Sequence, residues 1–386
     1  MIKHFSSLYV GHIELDNVGA NGTSPEDRRY PNERLVECFG MAESIARQMD
    51  SQGYYALWLA EHHFQREGYE CIPNLLMLST YLSTQTKHLK FGCAFNIVPM
   101  WHPLRLAEDF AMADILSGGR VIFGVGRGYH TREVETFGSP MRDNDANKEL
   151  FMEQMEIIFK AFNEDSFTHQ GKHYSLPAEV EYRGYDLKDI TLVPRPVHRP
   201  VDVWQPIASR RTLRYIAQTG IKGVVHGTGE KLVDQVFHEY RDAAAEVGRE
   251  LALGEDLALG LFFYISGSQE EAMERARLFH DERYKWFAPF GLVRYTDAEG
   301  RPWGTPGAPS RPPTLEDGVD QKVWLCGDSD YVVSVLKEFE ALYPGLEHVI
   351  LHWPEGMPLK EYSEQLTRFH EGVMPAFGAG EEGKGE

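Results

Sequence analysis

Strand-like and helix-like segments alternate along most of this chain of 386 residues, and no other feature of the sequence constrains the fold as strongly. Short apolar runs such as residues 56–60 (ALWLA) are typical of strands that are covered on both faces. Segments such as residues 104–119 place their apolar residues at helical spacing. Because helices separate the strands, the strands are predicted to be parallel.

Eight strands are predicted, and eight such units favour an α/β fold of the (β/α)8 TIM-barrel type over an open, doubly wound sheet. The predicted strands are residues 2–10, 56–64, 88–98, 120–126, 201–207, 221–227, 256–266 and 348–353. The predicted helices are residues 32–53, 74–86, 104–119, 149–163, 209–220, 231–248, 268–287 and 330–345.

The chain is longer than a minimal barrel, so we expect insertions within a single domain of residues 1–376. The two candidate insertions are the turn-rich segments at about residues 164–200 and 288–326. Proline and glycine recur in the second, and we predict that residues 288–320 form a mobile lid over the barrel mouth. Residues 377–386 are expected to be a flexible tail.

The composition excludes several classes of partner. A formal net charge of −19 argues against nucleic acid and against an anionic membrane surface. The four cysteines form no C-x-x-C pair, so neither a disulfide framework nor a zinc site is indicated, and a reducing cytosol is expected. Neither a signal-peptide pattern nor an apolar run of about 20 residues is present, so we expect a soluble, cytoplasmic protein.

Polar, titratable and glycine residues follow several of the predicted strands. In a barrel, the carboxyl ends of the strands and the loops after them form the active site. The candidate residues at these ends are Glu61, His62, His63, Ala94, Phe95, Asn96, Gly126, Arg127, Ser209, Thr212, His226 and His352. The active site is therefore expected at this rim.

The adjacent His62 and His63 raise the question of a metal site. Neighbouring residues on a strand point in opposite directions, so these two are not expected to bind one metal together. The sequence contains no H-E-x-x-H motif, and its 16 histidines form no other tight cluster, so no metal is predicted. The structural alternative for either histidine is a satisfied core group or a cap on a carbonyl.

The segment FGVGRGYH, residues 123–130, is rich in glycine but lacks the G-x-G-x-x-G spacing of a dinucleotide-binding turn. A phosphate seat is the preferred interpretation, because glycines allow close backbone approach and Arg127 offers a planar set of donors. Ser209 and Thr212 begin a predicted helix, whose amino terminus attracts anions. An ordinary serine cap is the alternative for this pair.

Four stretches, residues 60–64 (AEHHF), 92–138, 201–220 and 326–358, resemble the bacterial luciferase-like flavin-dependent monooxygenase family. The resemblance implies a TIM barrel that binds a flavin, usually reduced FMN from a separate reductase and sometimes F420. It implies that His62 is catalytic and that Arg127, Ser209 and Thr212 hold the flavin phosphate. It also places a non-prolyl cis peptide at Ala94–Phe95, and we expect the residues around that bond, with Gly126 and His226, to line the cofactor.

Some positions depart from the luciferase pattern. Gly126 stands where luciferase has a reactive cysteine, so light emission is not expected. Ala208 replaces an acidic residue, and Arg210 with Arg211 lies beside it. His226 and Gly227 occupy the place of a tryptophan beside the flavin ring, so the neighbours of the ring differ.

The expected function is oxygenation of a small organic substrate by reduced FMN and O2, through a C4a-peroxyflavin, in a homo-oligomer. One alternative is an F420-dependent oxidoreductase that transfers hydride. A non-catalytic luciferase-like partner subunit is a second alternative, which the combination of His62, Arg127, Ser209 and Thr212 disfavours. An unrelated phosphate-binding barrel is a third, but its phosphate seat usually follows the last two strands.

Overall fold

The computed structural model describes residues 1–299, 301, 303 and 311–378. Eight parallel strands close into a barrel in the order β1, β2, β3, β5, β10, β11, β12 and β14, and the pairing of β14 with β1 closes the ring. These strands are His4–Tyr9, Ala56–Leu59, Lys90–Cys93, Val121–Gly126, Val203–Pro206, Lys222–His226, Leu257–Ile265 and His348–His352. The predicted (β/α)8 fold is confirmed.

Helices surround the barrel and connect its strands. They are α1 Asn32–Leu35, α2 Glu37–Ser51, α3 Leu75–Ser83, α4 Pro103–Ser117, α5 Thr131–Thr136, α6 Asn144–Asn163, α7 Arg210–Thr219, α8 Glu230–Ala245, α9 Gln269–Phe287, α10 Leu315–Asp320, α11 Ser329–Leu342 and α12 Leu359–Gly372. Short single-turn helices lie at Pro25–Asp27, Val98–Met100, Ala288–Phe290 and Met374–Phe377.

Large side chains from several strands fill the interior of the barrel. Trp58 of β2 and Trp204 of β10 are almost completely buried there, with ring centroids 5.8 Å apart at an angle typical of edge-to-face packing. Gly92 of β3 faces this pair, and a Cβ at that position would collide with the Trp58 indole. The barrel is therefore a packed core rather than a pore.

The second predicted insertion contains regular structure that the sequence interpretation missed. Thr314 closes a capping box on α10, and β13 (Trp324–Gly327) pairs with the carboxyl-terminal half of β12. Proline-rich sequence just before this region obscured a short apolar strand. Nine positions of the predicted lid, residues 300, 302 and 304–310, lie outside the described residues; they include Gly300, Pro302, Gly304, Pro306, Gly307 and Pro309.

Five other short strands occur within the described residues. β4 (Asn96–Ile97) continues the third barrel strand after a break, and the first insertion carries two hairpins. These hairpins pair β6 (His169–Gln170) with β7 (Ser175–Leu176), and β8 (Glu181–Tyr182) with β9 (Tyr185–Asp186).

The packed part of the chain extends beyond residue 376, where the sequence interpretation ended the domain. Phe377, which the sequence interpretation placed in the tail, is buried, and its ring lies 5.4 Å from that of Phe5. Residues 379–386 of the predicted tail lie outside the described residues. Within the described part of the chain, none of the helices combines the length and apolar character that crossing a bilayer requires. All four cysteines are free.

Candidate active site

A cavity of about 220 Å³ opens at the carboxyl ends of the barrel strands. Seven of the nine residues proposed from the sequence as catalytic or cofactor-binding line it, namely His62, Ala94, Phe95, Gly126, Arg127, Thr212 and His226. The other two do not. The Asn96 side chain donates to the Gly124 carbonyl at 2.9 Å, and the Ser209 hydroxyl lies 3.1 Å from that of Thr212.

Glu61 fixes the wall formed by the third strand. The Ala94–Phe95 peptide bond is cis, as the family resemblance predicted. Just beyond it, the Ile97 amide donates to Glu61 Oε2 at 2.7 Å, and the Trp101 indole donates to Glu61 Oε1 at 3.0 Å. The buried Glu61 carboxylate therefore ties the end of β2 to the segment that carries the cis bond.

Gly126, at the end of β5, lies against the cis segment of the third strand. A Cβ built on Gly126 would lie 3.2 Å from the Phe95 Cβ, so glycine allows β5 and the cis segment to approach each other closely.

His62 is held between two carboxylates. Its Nδ1 lies 3.2 Å from Glu133 Oε2, and its Nε2 lies 3.2 Å from Glu70 Oε1. Burial lowers the pKa of His62, but Glu70 and Glu133 outweigh burial and raise it above its usual value. Only an imidazolium has a donor at both ring nitrogens, so the site favours a protonated His62.

Glu70 is the centre of this network. It accepts hydrogen bonds from the Tyr129 hydroxyl at 2.6 Å, from Gln65 at 2.8 Å and from the Trp286 indole at 3.2 Å. Glu70 Oε2, which accepts from Gln65 and Trp286, also lies 3.0 Å from His130 Nε2. Burial alone would raise the pKa of Glu70, but the charge of His62 and the contact with His130 lower it to about 2.

His63 has a different environment from His62. Its Nε2 lies 3.1 Å from Glu61 Oε1, and its ring packs edge-on against Phe137 with centroids 4.7 Å apart. His63 does not line the cavity. The two adjacent histidines therefore diverge, in agreement with the expectation from strand geometry.

A second pair of histidines lies on the other side of the cavity. His226 Nδ1 and His352 Nε2 are 2.9 Å apart. Burial first, and then Arg283 and Arg294, lower the pKa of His226 to about 3. Burial, His226 and Arg283 lower the pKa of His352 well below its usual range. Both rings are therefore neutral near pH 7 and share one hydrogen.

Three cations gather where α6 and α7 begin. Arg127 donates to the side-chain oxygens of Asn144 and Asn147 at 3.0 and 3.2 Å. Burial lowers its pKa, and so does the neighbouring Arg211. Lys148 of α6 has its pKa lowered by burial, then by Arg211 and Arg127, so the three charges lie close together.

The amino terminus of α7 adds to this positive region. Ser209 caps the helix by accepting the Thr212 amide at 3.2 Å. The remaining free amides and the helix dipole give this end a partial positive charge. The sequence interpretation found Arg127, Ser209 and Thr212, but it missed Lys148, which stands within a helix and carries no motif.

Two further arginines reach the cavity from α9 and the segment after it. Arg283 Nη1 lies 3.0 Å from both oxygens of the buried Glu355. Arg294 Nη1 donates to the Ile207 carbonyl at 2.7 Å. Both residues are separated by more than 50 positions from the contacts that place them, so local sequence gave no signal for either.

The His62 network brings together metal-type ligands that the sequence did not group. Ligand atoms of His62, Glu70 and His130 lie within 4.8 Å of one another and are buried. Each of these atoms already has a hydrogen-bonding or ionic partner inside the network. The absence of a metal remains a prediction.

Comparison with known proteins identifies the family to which the chain belongs. Residues 21–344 match the family described as luciferase-like monooxygenase. The chain belongs to this family. The resemblance stated from the sequence is thereby confirmed, and so is the predicted class of enzyme, an oxygen-incorporating flavoprotein.

One relative of this luciferase-like monooxygenase is the oxygenase component of a flavin-dependent trigonelline monooxygenase from Acinetobacter baylyi. The two sequences are 25% identical over 342 residues, and the match covers 85% of this chain and 87% of that protein. Its fold is similar to the FMN-bound oxygenating constituent of 3,6-diketocamphane monooxygenase from Pseudomonas putida, with a TM-score of 0.74, 20% identity, and coverage of 97% and 98% of the two chains. An F420-dependent secondary alcohol dehydrogenase shares the fold at a TM-score of 0.65 and 12% identity, with coverage of 97% and 99%.

Proposed function

We propose that this luciferase-like monooxygenase uses reduced FMN, supplied by a separate reductase, and O2 to oxygenate a small organic substrate. The observation that carries the proposal is the group of cations at the start of α6 and α7. Arg127 and Lys148 make no ion pair within the described part of the chain, although the protein as a whole carries a net charge of −19. Cations left without counter-ions beside a cavity favour an anionic ligand.

The residues at this position fit the phosphate of a flavin mononucleotide. Arg127 lines the cavity and presents a planar guanidinium, which suits phosphate oxygens. Thr212 and the free amides of α7 lie on the same side, where a helix amino terminus binds anions. Arg211 is exposed and pairs with Asp145 at 2.8 Å, so its contribution is screened by solvent.

When bound, reduced FMN supplies the activation of O2, and the chain supplies binding, orientation and proton control. The largely apolar cavity restricts water around the ring. His62, held as an imidazolium, keeps a proton at the cavity wall next to the Tyr129 hydroxyl, which is 3.2 Å from its Nε2. We assign His62 the role of proton donor.

The partners follow from the same proposal. The name of the Acinetobacter relative describes it as an oxygenase component, which supports a reductase as a separate protein. Met77 of α3 and Leu116 of α4 expose 72% and 64% of their surface, as unpaired apolar side chains at an interface between subunits would. A homo-oligomer remains our expectation.

The F420 alternative shares the phosphate seat, because that cofactor also carries a phosphate. One fold neighbour uses F420. The geometry of the seat does not discriminate between the two cofactors, so the experiment must include both.

Anaerobic titration of the protein with FMN, reduced FMN and F420 tests the proposal. Reduced FMN should bind most tightly, and oxygen uptake should follow when O2 is admitted. Arg127→Ala should weaken binding of reduced FMN by about 2–3 kcal/mol, the range for a lost charge-assisted bond to an anion. Arg105→Ala, which removes an exposed arginine paired with Glu108 and Asp109, is the matched control and should have no effect. Equal affinity in the Arg127 variant and the wild type would refute the seat, and preferential binding of F420 would support the alternative.

A further inference from the structure

Arg294 is delivered to the cavity by the segment that follows α9. Its backbone pairs with Thr228, and the Gly229 amide donates to its carbonyl at 3.0 Å. Its guanidinium reaches across to the end of β10, where Nη1 donates to the Ile207 carbonyl at 2.7 Å. Contacts with two neighbouring strand ends therefore fix both its backbone and its head group.

Within the described ranges, Arg294 has no carboxylate at ion-pair distance, whereas the neighbouring Arg283 is neutralised by Glu355. Burial lowers the pKa of Arg294, so its charge lies in a poorly solvated environment. A half-buried guanidinium that has only one carbonyl for a partner retains most of its donors and its whole charge for a ligand.

The neighbours of Arg294 differ from those of the phosphate seat. The charge of Arg211 lowers the pKa of Arg127, whereas the charges of Arg283 and Arg294 lower the pKa of His226. Arg294 therefore lies beside His226 and Arg127 lies beside Arg211. The lining of the cavity also includes apolar side chains from α9, from the segment after it and from the residue that follows β14, namely Phe287, Leu292 and Trp353. A second anionic group that enters here would carry an apolar body.

We propose that Arg294 binds the carboxylate of an apolar organic substrate, so that the enzyme acts on an organic acid. This inference rests on the proposed function, because it assumes that the flavin phosphate occupies the seat around Arg127. Arg294 can present two parallel N–H donors to both oxygens of a carboxylate. The neutral His226–His352 pair beside it offers hydrogen bonds without competing for the anion.

Calorimetric titration with monocarboxylates and their neutral amides tests the proposal. The probes are benzoate with benzamide and hexanoate with hexanamide, each added to the flavin-free protein and to the protein loaded with FMN. At least one acid should bind the wild type at least tenfold more tightly than its amide. Arg294→Gln should weaken binding of that acid by about tenfold or more, and it should leave the affinity for the matching amide unchanged. Arg294→Lys should restore part of the affinity, because it restores the charge without the planar pair of donors.

Two controls separate this inference from the proposed function. Arg311→Gln removes an exposed arginine of the same insertion, paired with Asp317, and should alter neither acid nor FMN affinity. FMN affinity should fall in Arg127→Ala but not in Arg294→Gln. If no acid distinguishes the wild type from Arg294→Gln, or if Arg294→Gln weakens FMN instead, the carboxylate assignment is overturned while the flavin site stands. If FMN fails to bind but the acid still depends on Arg294, the proposed function fails and the anion site stands.

Discussion

Replacement of Glu70 by Gln tests the buried network around His62. Burial would raise the pKa of Glu70, but His62 and His130 lower it from 4.5 to about 2. At about 1.4 kcal/mol for each pH unit, that difference corresponds to roughly 3 kcal/mol of folding free energy. This agrees with the roughly 3–5 kcal/mol lost when one partner of a buried ion pair is removed. We therefore expect Glu70→Gln to lower the free energy of unfolding by about 3 kcal/mol.

The pH dependence of that loss follows from the two shifted groups. Because the pKa of Glu70 is lowered, its contribution is present above its unfolded value of 4.5 and is lost as the pH falls through about 2. Because the pKa of His62 is raised, its contribution is present below its unfolded value of 6.5 and is lost as the pH rises through the higher folded value. The effect of the substitution should therefore be largest between these unfolded values, near pH 6, and smaller at pH 9.5.

Denaturant unfolding followed by tryptophan fluorescence at pH 6 and pH 9.5 measures this difference. Glu67→Gln is the matched control, because Glu67 lies in the same loop and pairs with the partly exposed Arg132 at 2.8 Å. That control should change the free energy of unfolding by less than about 1 kcal/mol at either pH. An equal loss at both pH values for Glu70→Gln would refute the assignment of a charged His62–Glu70 pair.

The remaining predictions concern catalysis, capping and the insertion. His62→Asn should lower substrate turnover about 100-fold or more while flavin affinity is retained, as measured by steady-state kinetics and flavin titration. His63→Ala should instead lower the melting temperature, because His63 packs on Phe137 outside the cavity. If turnover survives in His62→Asn and is lost in His63→Ala, His63 rather than His62 is the catalytic histidine. Ser209→Ala should cost about 1 kcal/mol of stability through the lost α7 cap, and it should weaken flavin binding less than Arg127→Ala does. Limited proteolysis should cut residues 288–320 readily in the free protein and slowly with reduced flavin and substrate present, whereas equal cleavage would exclude a gating role.

The barrel could be predicted because its signal is local. Buried strands such as β2 appear as apolar runs, and the residues at their carboxyl ends belong to the site by the geometry of the fold. Arg127 and Thr212 follow strands in this way, so the sequence alone identifies them as candidates. The strand β13 was missed because its four residues follow a proline-rich stretch and pair only with part of β12.

The charge balance of the site could not be predicted, because it depends on contacts between distant segments. Glu133 lies 71 positions from His62, and its carboxylate helps to decide the protonation of that histidine. Arg294 lies 87 positions from the carbonyl that orients it. His226 and His352 were both recognised at strand ends, but their pairing across 126 positions was not.

The hydrogen shared between His226 and His352 has two possible positions, and its position decides which ring nitrogens on this side of the cavity donate and which accept. If His226 Nδ1 carries the hydrogen, its far nitrogen is an acceptor and the far nitrogen of His352 is a donor. If His352 Nε2 carries it instead, the two polarities are exchanged, with no change in total charge. The pair can therefore present its two far nitrogens to a ligand as acceptor and donor or as donor and acceptor, without moving an atom heavier than hydrogen.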